Sequence, residues 1–217
     1  LRDQLEQQHL PPRRTAPAAT QASAPRLPPT RRSAAVRRAA PARLTPADAT
    51  QKLEFYNGSG GFDKGGREYT IVLDGRRSTP APWINVIANS QDFGFIVSES
   101  GSGYTWSANS RENRITPWSN DPVSDPPGEA IYLRDEESGE TWCPTPLPIR
   151  GSDPYVIRHG QGYTRFEHNS HGIAHVLDQF VAPDAPVKLS RLHLKNTGSK
   201  ERELSVTSYT EWVLGFH

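Results

Sequence analysis

An abrupt change in composition at Leu53 limits how this chain can fold. Residues 1–52 hold eight prolines, twelve alanines and no aromatic side chain, whereas aromatic, glycine and β-branched residues follow in short runs. A Pro/Ala/Arg stretch cannot bury enough apolar surface to offset the roughly 1–2 kcal/mol of backbone entropy that each residue loses on ordering. We therefore expect a disordered linker over 1–52 and a folded domain over 53–217.

The expected linker is basic, with ten Lys and Arg against three Asp and Glu, while the rest of the chain has 15 basic and 21 acidic residues. A basic arm that touches nucleic acid or anionic lipid is the alternative, and Arg31-Arg32 and Arg37-Arg38 keep it open. However, no aromatic side chain is interleaved for base stacking, and prolines separate the charges. We favour a linker and expect no nucleic-acid partner.

Several features narrow the class of protein. Cys143 is the single cysteine, so no internal disulfide can form. No apolar run approaches the ~20 residues that span a bilayer, and the start of the chain lacks the apolar core of a signal peptide. The chain contains no methionine and stops shortly after an apolar pair, Val213-Leu214. These two observations predict a fragment or a processed chain.

The region after Leu53 predicts an all-β fold. Short apolar runs are separated by turn signals such as Asp74-Gly75 and Asn196-Thr197-Gly198. In Val187–Asn196 the apolar positions shift from odd to even numbers, which predicts a β-bulge. The predicted strands are Glu68–Leu73, Trp83–Asn89, Gly94–Ser98, Gly103–Ser107, Ala130–Arg134, Tyr155–Arg158, Gly162–Glu167, Ile173–Val181, Val187–Asn196 and Leu204–Leu214.

The densest polar and aromatic cluster runs from Trp106 to Asp121. Flat indoles suit the C–H faces of sugar rings, and amide, carboxylate and guanidinium groups hydrogen-bond hydroxyls. The alternative is a long surface loop that the tryptophans hold in place and whose arginines satisfy backbone carbonyls. The candidate sugar-binding residues are Trp106, Arg111, Asn113, Arg114, Trp118, Asn120 and Asp121.

Other groups of polar residues give weaker signals. His168, His171 and His175 have a spacing that invites a zinc hypothesis, but His168 and His171 would project to opposite faces of a strand. We therefore expect ordinary polar histidines and no metal. Asp121 and Asp125 are candidates for an acid/base pair. However, each directly precedes a proline, and Asp-Pro pairs are typical of turns, so turn formation is the favoured role. No catalytic residue can be named.

From Phe55 onward the chain resembles the glycoside hydrolase family 94 region of cyclic β-1,2-glucan synthases. The segments that carry the resemblance occur in order along the last three quarters of the chain. They are Phe55–Phe62, Thr79–Asn89, Ser110–Arg114, Thr116–Pro122, Arg158–Tyr163 and Thr210–Gly215.

The resemblance implies a two-sheet antiparallel supersandwich that precedes a helical linker and an (α/α)6 barrel. The parent protein would lie at the cytoplasmic face of the inner membrane and make and trim β-1,2-glucan. In that family the catalytic acid and the ligands of inorganic phosphate, a co-substrate, lie in the barrel. The implied partners are therefore β-1,2-glucan or its oligosaccharides, the barrel of the same polypeptide, and a second copy in a homodimer. No cofactor is expected.

These implications favour a non-catalytic carbohydrate-binding or scaffold sandwich, inactive by itself. A free-standing lectin-like module and a purely structural docking domain are the alternatives. The resemblance also makes the segment from Trp106 to Asp121 a candidate for a loop that faces sugar.

Overall fold

A computed structural model describes residues 49–75 and 77–213, and all of them belong to one compact unit. The predicted linker lies almost entirely outside the described residues. Of its last residues, Ala49 is buried against Val72 and Val156. The described part contains twelve strands: β1 (Gly60–Phe62), β2 (Glu68–Leu73), β3 (Ile84–Ala88), β4 (Phe93–Ser98), β5 (Gly103–Ser107), β6 (Glu129–Asp135), β7 (Thr141–Trp142), β8 (Tyr155–Gly160), β9 (Tyr163–Ser170), β10 (Ile173–Val181), β11 (Lys188–Asn196) and β12 (Leu204–Thr210).

The strands pair antiparallel throughout the described residues. Six of them form one large sheet in the order β1-β2-β8-β9-β10-β11. Two smaller sheets have the orders β3-β4-β5 and β12-β6-β7. The expectation of an all-β, antiparallel sandwich is confirmed, with the second layer divided between the two smaller sheets.

Strand β10 shows how both small sheets cover the same face of the large sheet. Side chains at alternate positions of a strand point to one face, so Ile173 and Leu177 project together. Leu177 belongs to a buried cluster with Phe95 of β4, and Ile173 belongs to another with Leu133 of β6. Burying an aliphatic or aromatic side chain contributes about 1.5–3 kcal/mol, so these clusters hold the two layers together.

The opposite face of the large sheet carries charged pairs. Arg158 of β8 donates from Nε to Glu167 of β9 at 2.8 Å. Farther along, Asp178 of β10 accepts from Arg165 at 2.6 Å and from Arg191 at 2.7 Å. Asp178 is buried, and the two arginines compensate its charge.

The structure confirms that each predicted strand overlaps an observed one, and it adds the short strands β1 and β7. The predicted bulge in Val187–Asn196 is wrong, because β10 and β11 pair without interruption from Val181↔Lys188 to Ile173↔Asn196. The shift of parity has another cause. Leu189 lies 40% exposed on the outer face of the strand, and the inward position before it is taken by the polar Lys188.

Two further findings concern the cysteine and membrane-spanning helices. Cys143 is buried as a free thiol. Among the described residues, none lies in a helix of the length and hydropathy that crossing a bilayer requires.

Candidate functional site

The segment that joins β5 to β6 begins with a tight turn at residues 108–113. Ala108 adopts a left-handed backbone conformation with φ of 62°. The Asn109 side chain then accepts hydrogen bonds from the backbone N–H of Arg111 at 2.8 Å and of Glu112 at 3.0 Å. Asn113 donates from its amide to the Ser107 carbonyl at 2.8 Å. The turn is therefore held by its own amides, while the Arg111 residue remains exposed.

After the turn, the segment folds back over the aromatic ring of Tyr104. Trp118 meets this ring edge to face, with 5.1 Å between the centroids. The guanidinium carbon of Arg114 lies 5.5 Å from the same ring, and the Trp106 ring lies 5.7 Å away. Tyr104 and Trp106 are buried, but Trp118 is 41% exposed. The packing therefore fixes Trp118 and leaves part of the indole open to a ligand.

An open cleft of about 490 Å³ lies beside Trp118. One part of its lining is apolar and comes from Ala81, Pro82, Ile84 and Ile96. In the β3–β4 ladder, Val86 pairs with Ile96, and Ile87 pairs with the core residue Phe95. Since adjacent side chains point to opposite faces, Ile96 belongs to the outer face of this sheet. The small sheet is thus apolar on both faces, and the cleft occupies the outer one.

The polar part of the cleft comes from the same loop and from the end of β4. It includes Ser98, Ser102, Ser119, Asn120, Asp121 and Asp125. Asp121 accepts hydrogen bonds from the Ser124 hydroxyl at 2.5 Å and from the Val123 backbone N–H at 2.9 Å. These hydrogen bonds lower the pKa of Asp121, so its carboxylate is charged at neutral pH. The prediction that Asp121 makes a turn is confirmed.

Asp125 is held from the strand side, where the Ser98 hydroxyl donates to it at 2.6 Å. Next to Ser98 along the chain, the buried Glu99 accepts from the Trp83 backbone N–H at 2.7 Å and from the Thr79 hydroxyl. Burial raises the pKa of Glu99, and the nearby charge of Asp125 contributes in the same direction. The cleft therefore lies in a locally acidic environment.

The base of the loop is attached to Glu129 of β6. One oxygen of this carboxylate accepts from the hydroxyls of Thr105 at 2.6 Å and Thr116 at 2.9 Å, and the other accepts from Lys188 of β11 at 2.6 Å. Burial alone would raise the pKa of Glu129, but the ammonium of Lys188 and these hydrogen bonds bring it below its ordinary value. Because Thr105, Glu129 and Lys188 belong to three different sheets, this cluster joins all three.

The structure divides the seven predicted sugar-binding residues into three groups. Trp118, Asn120 and Asp121 line the cleft. Trp106 and Arg114 pack around Tyr104, where they support Trp118. Arg111 and Asn113 belong to the turn and are not among the described lining residues.

Sequence reasoning missed the apolar side of the cleft. Ala81, Pro82, Ile84 and Ile96 were not predicted as site residues, although they line it. One signal was available in β3 and β4. In β3, Ile84 and Val86 lie at even positions and Ile87 at an odd one, and in β4 the apolar Ile96 directly follows Phe95. Apolar residues at both parities indicate a strand that is covered on both faces.

Three histidines form a stacked cluster with Tyr155 and Trp142, in which His168 and His175 are buried and His171 is exposed. Tyr155 stacks on His168 with 3.7 Å between centroids, and His171 stacks on Trp142 at 4.4 Å. Trp142 donates from Nε1 to His175 Nε2 at 2.8 Å, so His175 carries its proton on Nδ1 and donates it to the His168 carbonyl. His171 occupies the turn after β9, whereas His168 lies within β9, so the two residues do not share a strand.

Burial disfavours the charged form of the buried imidazoles. It lowers the pKa of His175 to about 4 and that of His159, on β8, also to about 4. The Nε2 atom of His168 is buried without a hydrogen-bond partner. Within residues 49–75 and 77–213, no group of three or more His, Cys, Asp or Glu side chains is arranged to hold a metal ion.

Comparison with known proteins identifies the family. The sequence profile of the glycosyl hydrolase 94 supersandwich domain matches residues 67–217, which is well over half of the chain. The chain belongs to this family. The glycosyl hydrolase 94 supersandwich is an all-β domain, in agreement with the sheets described above.

Relatives of this glycosyl hydrolase 94 domain include much longer proteins. The cyclic β-(1,2)-glucan synthase NdvB of Rhizobium meliloti (strain 1021) is 47% identical over 164 residues, which cover 75% of the chain and 6% of NdvB. The N,N'-diacetylchitobiose phosphorylase of Vibrio proteolyticus is 32% identical, covering 70% and 19%. The solabiose phosphorylase of Paenibacillus borealis is 34% identical, covering 72% and 20%. The chain therefore spans at most a fifth of each of these three relatives.

Proposed function

We propose that this chain is a non-catalytic, carbohydrate-binding sandwich within a protein that acts on β-1,2-glucan. The observation that carries the proposal is the cleft beside Trp118, where a half-exposed indole adjoins Asn120 and Asp121. An apolar ring face with directional polar groups at its edge suits a pyranose, which has C–H groups on its faces and hydroxyls on its rim. The 47% identity with NdvB supports β-1,2-glucan as the carbohydrate.

The proposal assigns the chemistry to other parts of the parent protein. Inorganic phosphate would be bound outside this chain, because the described lining of the cleft includes no Lys, Arg or His to neutralise it. The barrel of the same polypeptide would supply the catalytic residues. The parent would lie at the cytoplasmic face of the inner membrane, and a second copy of the chain is a further candidate partner.

Binding of linear β-1,2-glucooligosaccharides to the 217-residue chain tests the proposal. Calorimetry on the wild type should show binding, and Trp118→Ala should weaken it at least ten-fold, which corresponds to about 1.4 kcal/mol. Trp212→Ala is the matched control, since Trp212 is 61% exposed but is not among the described cleft residues. Equal losses in both variants, or no binding by the wild type, would contradict the proposal.

A second assay tests the non-catalytic part. The chain is incubated with the same oligosaccharides and inorganic phosphate, and released glucose 1-phosphate is measured. We expect no phosphorolysis. Turnover by the chain alone would show that the reactive groups are present in it.

A structural docking domain is the second candidate, and one observation favours it. Ile84 is 48% exposed and Val86 is 57% exposed on the outer face of β3. Exposed aliphatic side chains next to each other are typical of protein–protein contacts. A chain that melts cooperatively but has no affinity for β-1,2-glucooligosaccharides would support docking over sugar binding.

A further inference from the structure

The charged residues described in the lining of the cleft beside Trp118 are all acidic. Its described lining residues include the carboxylates of Asp121 and Asp125 and no Lys, Arg or His. Asp121 is held as an acceptor by Ser124 and Val123, and Asp125 is held as an acceptor by Ser98. Both carboxylates are therefore fixed in place, with oxygen atoms that can accept further hydrogen bonds from a ligand.

The two nearby arginines, one in the turn and one just after it, are not among the described residues that line the cleft. Arg114 lies over the Tyr104 ring and donates from Nε to the Ser110 carbonyl at 3.4 Å. Arg111 extends from the turn that Asn109 holds. Behind the cleft, the buried Glu99 adds a third acidic group.

We propose that this cleft selects uncharged saccharides and rejects saccharides that carry a carboxylate or phosphate group. This inference rests on the proposed function and specifies the class of sugar that the same site accepts. The hydroxyls of a neutral sugar donate to Asp121 and Asp125 while the apolar face of a ring lies against Trp118. An anionic group in the same cleft meets two carboxylates of like charge and no described cation, so it loses its hydration without a compensating partner.

A pair of matched ligands tests the selectivity. The first is linear β-1,2-linked glucotetraose, and the second is the same tetrasaccharide with its terminal glucose oxidised to glucuronate. Calorimetry with the full chain at pH 7 and low ionic strength should give at least ten-fold tighter binding of the neutral ligand. Because exposed charges are screened by salt, the ratio should narrow as salt is added.

Variants that remove a charge identify which residues cause the ratio of the two affinities. Asp121→Asn and Asp121→Asn/Asp125→Asn keep the size of the side chains and an oxygen acceptor for the loop hydrogen bonds. Each should bring the two affinities closer together, and the double variant should do so more. Glu112→Gln is the control, since it removes an exposed carboxylate from the neighbouring turn and should leave the ratio unchanged.

The outcomes separate this inference from the proposed function. Equal or tighter binding of the glucuronate ligand would overturn the selectivity while leaving carbohydrate binding intact. A ratio that persists in the double variant, or that Glu112→Gln narrows equally, would overturn the assignment to Asp121 and Asp125. Absence of binding for both ligands would overturn the proposed function and this inference with it. A thermal melt of each variant shows that the comparison is made between folded proteins.

Discussion

The histidine cluster and the loop between β5 and β6 are the two regions richest in chemically capable side chains, and the fold uses them in opposite ways. In the histidine cluster, Trp142 and His175 are buried and hydrogen-bonded to each other. In the loop, Trp118 is 41% exposed beside an open cleft. A tryptophan next to polar groups therefore indicates a ligand site only when its polar neighbours remain available to solvent.

The largest effect that distinguishes the two regions is expected from truncating their tryptophans. Trp142→Ala should lower the free energy of unfolding by about 3–5 kcal/mol, because the indole is 2% exposed, stacks on His171 and donates to His175. Trp118→Ala should cost less than about 1 kcal/mol while weakening sugar binding. Urea denaturation of both variants measures the contrast, and similar losses of stability would remove it.

A comparable effect is expected from acid. His175 and His159 have pKa values of about 4 in the folded chain, lowered by burial from 6.5. Between pH 6.5 and 4 the unfolded state binds protons that the folded state does not. Their contribution is therefore complete above pH 6.5 and is lost as pH falls toward 4, by about 3 kcal/mol for each histidine. Urea denaturation across this range measures the slope.

A variant at position 175 sharpens the acid prediction. In His175→Gln, an amide can accept from Trp142 and donate to the His168 carbonyl without titrating. The variant should therefore have a shallower dependence of stability on pH than the wild type. An unchanged slope would show that His175 does not contribute to it.

The smallest effect is expected at the tip of the turn. Arg111→Ala should change stability by less than about 0.5 kcal/mol and sugar affinity by less than two-fold, because the residue is exposed and only its backbone N–H is bonded to Asn109. Asn109→Ala is the comparison, since it removes two hydrogen bonds and should cost about 1 kcal/mol. A ten-fold loss of affinity in Arg111→Ala would place this turn in the binding site.

Much of the fold was predictable from the sequence because strand signals are local. Alternating apolar residues and turn pairs such as Asp74-Gly75 bounded the strands and predicted the all-β class, while the antiparallel supersandwich was implied by the family resemblance. The assignment of strands to sheets was not predictable from periodicity. It depends on packing between residues far apart in the chain, such as the buried cluster that includes both Leu177 and Phe95.

The candidate site was predictable only in part, for a related reason. The aromatic and polar residues from Trp106 to Asp121 identified the loop. The density of such residues in the sequence could not show that Trp106 is buried or that Arg111 is not among the described cleft residues. The inferred bulge in β11 failed because polar Lys188 points inward to Glu129, a pairing across sheets that no pattern within the strand contains.

Glu129 anchors the loop at a point that is separate from the loop residues lining the cleft. This carboxylate secures the loop at Thr116, after the turn at residues 108–113, and it is itself secured by Lys188 on the large sheet. Residues beyond Thr116 can therefore differ in length and chemistry without disturbing the point at which the loop leaves the sandwich. One scaffold can in this way carry loops of different length and chemistry, because short insertions or exchanges beyond this point leave the layers untouched.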